Sequence, residues 1–232
     1  IEPVRQGLRL MQGSLDSNLA FEPAKTPKTY HVSAGDITAS LILGQLMEVL
    51  SRTAPNIKVH CFQTDRREIA RALAAGTIDV AIDIPQLSPT ALNKHRLFEG
   101  DHVCIMRKGH PCQNEEWNIE RFLTLDHIAV SSRSKGSSLL ELALSRVGQR
   151  VVPKLRVQQY LTALEVVQAS DLVLFAPRSI TTRLNVSVRE LPFEQAGISS
   201  WLYWHRNVED DPANRWFREL IIELNKKHPA HI

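Results

Sequence analysis

From Thr29 to Ile84 the chain alternates short apolar runs with longer stretches of helical periodicity, and no other feature constrains its fold as strongly. Tyr30 to Ala34, Ile57 to Phe62 and Ile78 to Ile82 read as three strands. Between the first two, Leu41, Leu43, Leu46, Met47 and Leu50 recur at helical spacing; between the last two, Ile69, Ala70, Leu73 and Ala74 do the same. Strands alternating with amphipathic helices specify a parallel sheet with helices on its faces. Such sheets bind ligands where loops leave the carboxyl ends of their strands. Small-molecule binding is therefore the first functional expectation.

Composition narrows the classes. At 232 residues and 43% hydrophobic content, the chain buries one large core or two smaller ones. No run of about 18 apolar residues occurs, so no membrane-spanning helix is expected. The start, Ile1 to Gln6, has no Met and no charged-then-apolar leader, which reads as a fragment lacking its upstream portion. A net charge of +3 with scattered basic residues is too little to argue nucleic-acid binding by this segment. Three cysteines, an odd number, fit free thiols in a reducing, cytoplasmic compartment. Cys61 and Cys104 fall inside apolar strand patterns and read as buried structural thiols. Cys104, His110 and Cys112 match no tight zinc spacing, so no metal and no cofactor is expected. G-x-S-x-G, Walker, G-x-G-x-x-G and H-E-x-x-H motifs are all missing and the nine histidines are dispersed, which argues against an enzyme.

Upstream of the first strand, Val4, Leu8, Met11 and Leu15 form a heptad-like stripe suited to pairing with a second helix, or to packing on the chain's own domain. A connector with Pro23 and Pro27 follows. Beyond Asp83 the expected order is a strand at His102 to Arg107, a strand at His127 to Val130, and a helix from Ser138 to Val147 closed by Gly148. Next come a strand at Lys154 to Val157, a helix from Tyr160 to Ala169 and a strand at Leu172 to Phe175. A helix from Pro177 to Leu184, with proline in its first turn, a strand at Ile198 to Trp204 and a last helix from Ala213 to Lys227 complete the chain.

Four polar loops stand at expected strand ends. In Ser33 to Thr38, backbone N–H groups at a helix start suit an anion, with Thr38 or Ser40 supplying a hydroxyl; Asp36 competes, as a plain helix cap. Gln63 to Arg66 is the second. Ser131 to Ser138 carries five serines, two cations and a glycine, which suits a carboxylate or a solvated loop ending in an N-cap at Ser137 or Ser138. Phe175 to Ser179 is the fourth.

The run Leu73 to Ile82 resembles the L-x-x-G-x-x-D-x-x-I signature of the effector-binding domain of LysR-type transcriptional regulators. Ala54 to Val59 resembles that family's second-strand approach, Lys108-Gly109-His110-Pro111 its HP turn, and Ser200 to Arg206 its return strand. The ordered set spans nearly the whole chain. The resemblance implies two α/β lobes joined by two crossing strands, a fold like the type 2 periplasmic binding proteins. Its implied limits are a dimerising linker helix at 1–18, a connector at 19–28, lobe I at 29–101, lobe II at 102–200, and a return to lobe I at 201–232. The resemblance further implies an effector held in the cleft between lobes by Asp36, Ile37, Thr38, Thr64, Arg66, Ser131, Ser132, Ala176 and Pro177, a small carboxylate or aromatic acid by the order of residues. Asp36 adds negative charge there, which Arg66, Arg133 or Arg178 would have to outweigh. Dimers or tetramers through Val4, Leu8, Met11 and Leu15, promoter DNA reached only through a domain missing upstream, and RNA polymerase are the implied partners. Two rivals share the fold: an exported solute-binding protein of a transporter, and a porphyrin-pathway deaminase bearing its cofactor on Cys112.

Overall fold

The computed structural model describes residues 21–85, 91–131, 136–181, 184–195 and 197–227. Val4, Leu8, Met11 and Leu15 lie outside the described residues, as do Ser132 and Arg133. The described residues form two compact units, one within 21–98 and 199–227 and the other within 99–198.

In unit 1, β1 (Lys28–Ala34), β2 (Ile57–Phe62) and β3 (Val80–Asp83) are parallel, with β1 in the middle. The return strand β10 (Ile198–His205) pairs antiparallel with β3, and β4 (Leu92–Gly100) lies beyond it, giving the order β2-β1-β3-β10-β4. Helix α1 (Asp36–Thr53) connects β1 to β2, and α2 (Ile69–Ala74) connects β2 to β3. The last helix, α6 (Pro212–Lys227), packs beside α1. Phe217 of α6 stacks on Tyr30 of β1 with centroids 3.9 Å apart, and the Tyr30 hydroxyl donates to the Ala213 carbonyl at 2.7 Å. On the opposite sheet face, Ile69, Leu73 and Ile78 pack with Ala81 and Tyr203.

The face α1 buries differs from the expected stripe. Leu46 and Leu50 are buried as predicted, but with Ile37 and Ile42, while Met47 is 45% exposed and Leu41 and Leu43 are half-buried. Apolar residues cover more of this helix's circumference than one sheet can meet. The i, i+4 row 42–46–50 wins because those side chains stack along a single line of the helix.

Gly76 closes α2 at φ +64, where its N–H donates to the Leu73 carbonyl at 3.2 Å and the next N–H, Thr77, to Ala72 at 3.0 Å. A Cβ there meets no neighbouring atom, so the penalty of substitution is purely conformational. Gly76→Ala is expected to lower stability by about 1–2 kcal/mol in a urea titration.

Unit 2 repeats the plan. Strands β6 (His127–Val130), β7 (Leu155–Val157) and β8 (Val173–Pro177) are parallel with β6 in the middle. Strand β5 (His102–Arg107) runs antiparallel to both β8 and β9 (Val186–Arg189), for the order β7-β6-β8-β5-β9. A short α3 (Ile119–Leu123) precedes β6, α4 (Leu139–Arg146) links β6 to β7, and α5 (Tyr160–Ala169) links β7 to β8. Both faces of this sheet are buried. Val103, Ile105, Leu174 and Ala176 meet Ala163, Leu164 and Val167 of α5; Cys104, Met106, Val173 and Phe175 meet Phe122, Leu140 and Leu144. Near-continuous apolar strands are what a sheet covered on both sides requires.

Three expectations change here. Strand β8 runs on to Pro177 because Ala176 and Pro177 pair with Val103 and His102, so the helix expected from Pro177 is only a 3-10 turn, Arg178–Thr181. Strand β4 shows no apolar alternation along Asn93 to Arg96, and β9 is half-buried throughout; their strand character comes from pairing with distant segments. Cysteine burial also shifts: Cys104 and Cys112 are fully buried, whereas Cys61 is only half-buried, and all three are free thiols. Cys112 sits in the 3-10 turn Pro111–Asn114 with its Sγ 2.9 Å from His110 Nδ1, not in an accessible loop as a cofactor-bearing cysteine needs.

Candidate functional site

Both units share the strand order second-first-third. Sheets with strands in that order bind ligands outside the carboxyl end of the middle strand, where the chain order reverses. In unit 1 that end is the β1–α1 junction. Helix α1 begins at Asp36, and Gly35, in extended conformation at φ −71 and ψ 163, is its N-cap without a side-chain cap hydrogen bond. Asp36 is thus not the cap that it resembled in sequence. It is the first helical residue, a carboxylate in the first turn where the helix dipole favours it. The first i−4 bond of the helix is made by the Ala39 N–H, to Gly35 at 2.8 Å. Helices leave their earlier N–H groups to other partners, so this end of α1 favours anions.

Neighbouring side chains refine the picture. Ile37 belongs to the core and presents almost no surface. Thr38 is half-buried one residue on, whereas the Ser40 hydroxyl is committed to the Ile37 carbonyl at 2.7 Å. After β2, the Thr64 N–H donates to the buried Ser33 Oγ at 3.1 Å, which ties the second loop to the end of β1. Thr64 Oγ1 is buried and has no hydrogen-bond partner among the described residues. Arg66 reaches the end of β3, where its guanidinium donates to both carboxylate oxygens of Asp83, at 2.8 and 2.7 Å. A carboxylate ligand at this end would compete with Asp83 for Arg66, so Arg66 is a poorer counter-charge to Asp36 than the sequence suggests.

Unit 2 places its predicted residues at the corresponding ends. The Ser131 N–H extends the β6–β7 ladder to the Val157 carbonyl at 2.9 Å. Its loop runs into α4 through a capping box. The Ser138 hydroxyl accepts from the Glu141 N–H, and Glu141 accepts in turn from the Ser138 N–H at 2.7 Å. Arg156 donates to Glu141 at 2.8 Å, and Ser138 and Arg156 together hold that carboxyl below its ordinary range against the opposing effect of burial. Ala176 is buried inside β8, and Pro177 ends it, so both are strand residues and not loop residues. The Arg178 N–H donates to the Asp101 carbonyl at 3.0 Å, and its guanidinium grips Glu190 at 2.5 and 2.6 Å. Of the three cations expected to offset Asp36, Arg66 and Arg178 are both paired with carboxylates of the fold. The sequence missed one polar residue at this edge, His102, whose signal was a histidine opening an otherwise apolar strand.

A model of the LysR substrate binding domain matches residues 24–226. The chain belongs to the LysR family. It is similar to the transcriptional activator NagR of Ralstonia sp, 26% identical over 227 residues, covering 96% of this chain and 75% of NagR. A solved structure described as a probable transcriptional regulator of Pseudomonas aeruginosa superposes with a TM-score of 0.86 at 26% identity, over 94% of this chain and 74% of that one. The effector-binding domain of BenM with its effector benzoate superposes with a TM-score of 0.70 at 15% identity, over 90% and 96% of the two chains, which is a likeness of fold. The two-sheet, periplasmic-binding-protein-like architecture of LysR effector-binding domains is therefore the architecture of this chain, and its relatives are transcriptional regulators. Among the described residues no helix is long and apolar enough to cross a membrane, and no group of three or more His, Cys, Asp or Glu is disposed to hold a metal ion.

Proposed function

We propose that this LysR-family chain holds a small carboxylate or aromatic acid at the carboxyl ends of its parallel strands, and that the ligand switches the geometry of a homo-oligomer bound to promoter DNA. The observation that carries this reading is the junction of β1 and α1, an 18-residue helix with no side-chain cap beside the unpartnered Thr64 hydroxyl. An acid group fits N–H donors and hydroxyls there, despite Asp36. At the strand ends of unit 1, Thr38 and Thr64 are the contacts in this reading, supported by Asp36, Ile37 and Arg66; at those of unit 2, Ser131 is the candidate contact, with Ser132, Ala176 and Pro177 beside it in sequence or in the fold's order. The benzoate bound by BenM, a domain of the same fold, supports an aromatic acid as the ligand class. DNA is contacted by another domain of the full-length regulator, which acts in the cytoplasm as a dimer or tetramer, pairs through Val4, Leu8, Met11 and Leu15, and engages RNA polymerase.

A ligand switches an equilibrium only as far as its affinities for the two arrangements differ. Binding itself comes first and is read by thermal shift. A benzoate or aliphatic acid at about 100 times its dissociation constant is expected to add about 2.7 kcal/mol of stability. Thr64→Val, which keeps the shape and removes the buried hydroxyl, is expected to abolish that shift and leave the unliganded melting temperature within about a degree or two. A panel of acids that produces no shift in the wild-type chain refutes the acid reading, and a shift untouched by Thr64→Val refutes the site.

A further inference from the structure

Helix α2 is only six residues long, and it covers part of its sheet face. Ile69 and Leu73 pack with Ile78, Ala81 and Tyr203 on the side of β3 and β10. Ala81 pairs with Ser33, two residues beyond His31 and so on the same side of the sheet, and His31 pairs with His60 of β2. At that pair the face is open. The His31 side chain is 39% exposed, and Lys58, His60 and Phe62 are exposed. The two imidazole rings meet edge to face, with centroids 5.3 Å apart and planes at 86°. On the other side of His31, one carboxylate oxygen of Asp79 accepts from the His31 backbone N–H at 2.7 Å and lies 3.7 Å from His31 Nδ1.

Two solvent-facing imidazoles at that separation match the geometry of a shared metal ion. With Zn–N distances of about 2.0–2.1 Å, an ion lies roughly 3.2 Å from the centre of each ring, and two rings at the tetrahedral angle then stand about 5.2 Å apart. We propose that His31 and His60 form a binding site for a divalent transition-metal ion of the zinc, nickel and copper class. Neutral imidazole nitrogen suits those ions, whereas magnesium and calcium take oxygen ligands. The Asp79 carboxylate favours the His31 proton on Nδ1, the arrangement in which a histidine ligand presents a bare Nε2 to its metal. The β1–β2 ladder already holds the two residues side by side, so binding orders little beyond two short side chains. Among the described residues no third His, Cys, Asp or Glu joins the pair, so water fills the remaining positions. Lys58, two residues before His60 on the same side, opposes the ion with its charge, which makes this an affinity of two nitrogens and not that of a closed structural site. The site is separate from the strand ends and owes nothing to the acid reading.

Copper(II), zinc, nickel and magnesium chlorides, titrated calorimetrically into the chelator-washed protein, test the site. We expect copper to bind most tightly, zinc and nickel to bind, and magnesium not to bind. Magnesium binding as strong as that of zinc overturns the proposal, because oxygen ligands then hold the ion. His31→Gln and His60→Gln are each expected to weaken zinc binding by about tenfold or more, since loss of an outer-shell partner alone costs a metal site that much. Zinc affinity that survives either substitution overturns the pair. Cys61→Ser removes the half-buried thiol next to His60 and is expected to leave zinc affinity unchanged; a loss there assigns the ion to the thiol and overturns the proposal. Should a histidine variant fail to fold, the ring nitrogen shifts of the wild-type protein decide. Shifts of both His31 and His60 on saturation with zinc support the site, and a shift of one or neither overturns it. A wild-type protein that binds none of the three transition metals also overturns it, and the acid titrations are unaffected by either result.

Discussion

Phe217→Ala is expected to remove about 3–5 kcal/mol of stability, the range for deleting a fully buried aromatic ring. Phe217 is completely buried and stacks face to face on Tyr30, itself completely buried in the middle strand of unit 1. Truncation leaves a cavity against one face of the Tyr30 ring. It also loosens the seat of α6, which holds Tyr30 a second time through the hydroxyl donated to Ala213. Of the expected midpoint shifts in urea this is the largest. The same variant should weaken acid binding even though it touches no ligand, because β1 leads directly into the Gly35–Thr38 junction. Phe217→Leu, which keeps most of the volume, is expected to lose less than half as much. Equal losses for Leu and Ala would show that ring stacking, and not volume, carries the energy.

Acidification from pH 7 to 4 is expected to cost unit 2 up to about 3 kcal/mol through His102 alone. The sign follows from the direction of the shift. Burial lowers the folded-state value from 6.5 to about 4, so the unfolded chain takes up the proton first. The stability associated with a neutral buried ring is complete above pH 6.5 and is lost as the pH falls through 4. His127 is shifted in the same direction by burial and adds to the loss. Asp79, in unit 1, runs the other way. Burial raises its carboxyl, so its contribution is complete below the ordinary carboxylate value and declines as the pH rises through the raised one. Urea midpoints of wild type and His102→Phe at intervals from pH 7 to 4 isolate the effect. The difference between the two proteins should grow as the pH drops, and a constant difference would refute the assignment to His102.

Much of the architecture could be read from the chain. The limits of β2, β5, β6 and α5 were legible to the residue, because each couples a sharp change in apolar periodicity to a turn or cap signal. Gly76 and Ser138 marked a helix end and a helix start for reasons of backbone geometry and side-chain capping that act over four residues. Long-range pairing was not legible. The extension of β8 through Pro177 requires Val103 and His102, more than 70 residues away in sequence, and a proline after an apolar strand looks locally like a helix start. Strand β9 alternates Val186-Ser187-Val188-Arg189 but is only four residues long, and its pairing with β5 is what fixes it as a strand.

The candidate site divides along the same line. Local sequence determined that polar loops follow β1, β2 and β6, since alternating strands and helices must be joined at their ends, and it placed Thr38, Thr64 and Ser131 there. What each group has left to offer was decided by tertiary structure. Asp83 takes both oxygens to Arg66, Glu190 takes up Arg178, and Ile37 turns into the core. The Thr64 hydroxyl is left buried without a partner among the described residues. Hydrogen bonds and ion pairs depend on distances of a few ångströms between residues far apart in sequence, whereas periodicity and capping are set by neighbours along the chain. The sequence therefore shows which chemistry is present at the strand ends, and only the fold shows which of those groups already have partners within the protein.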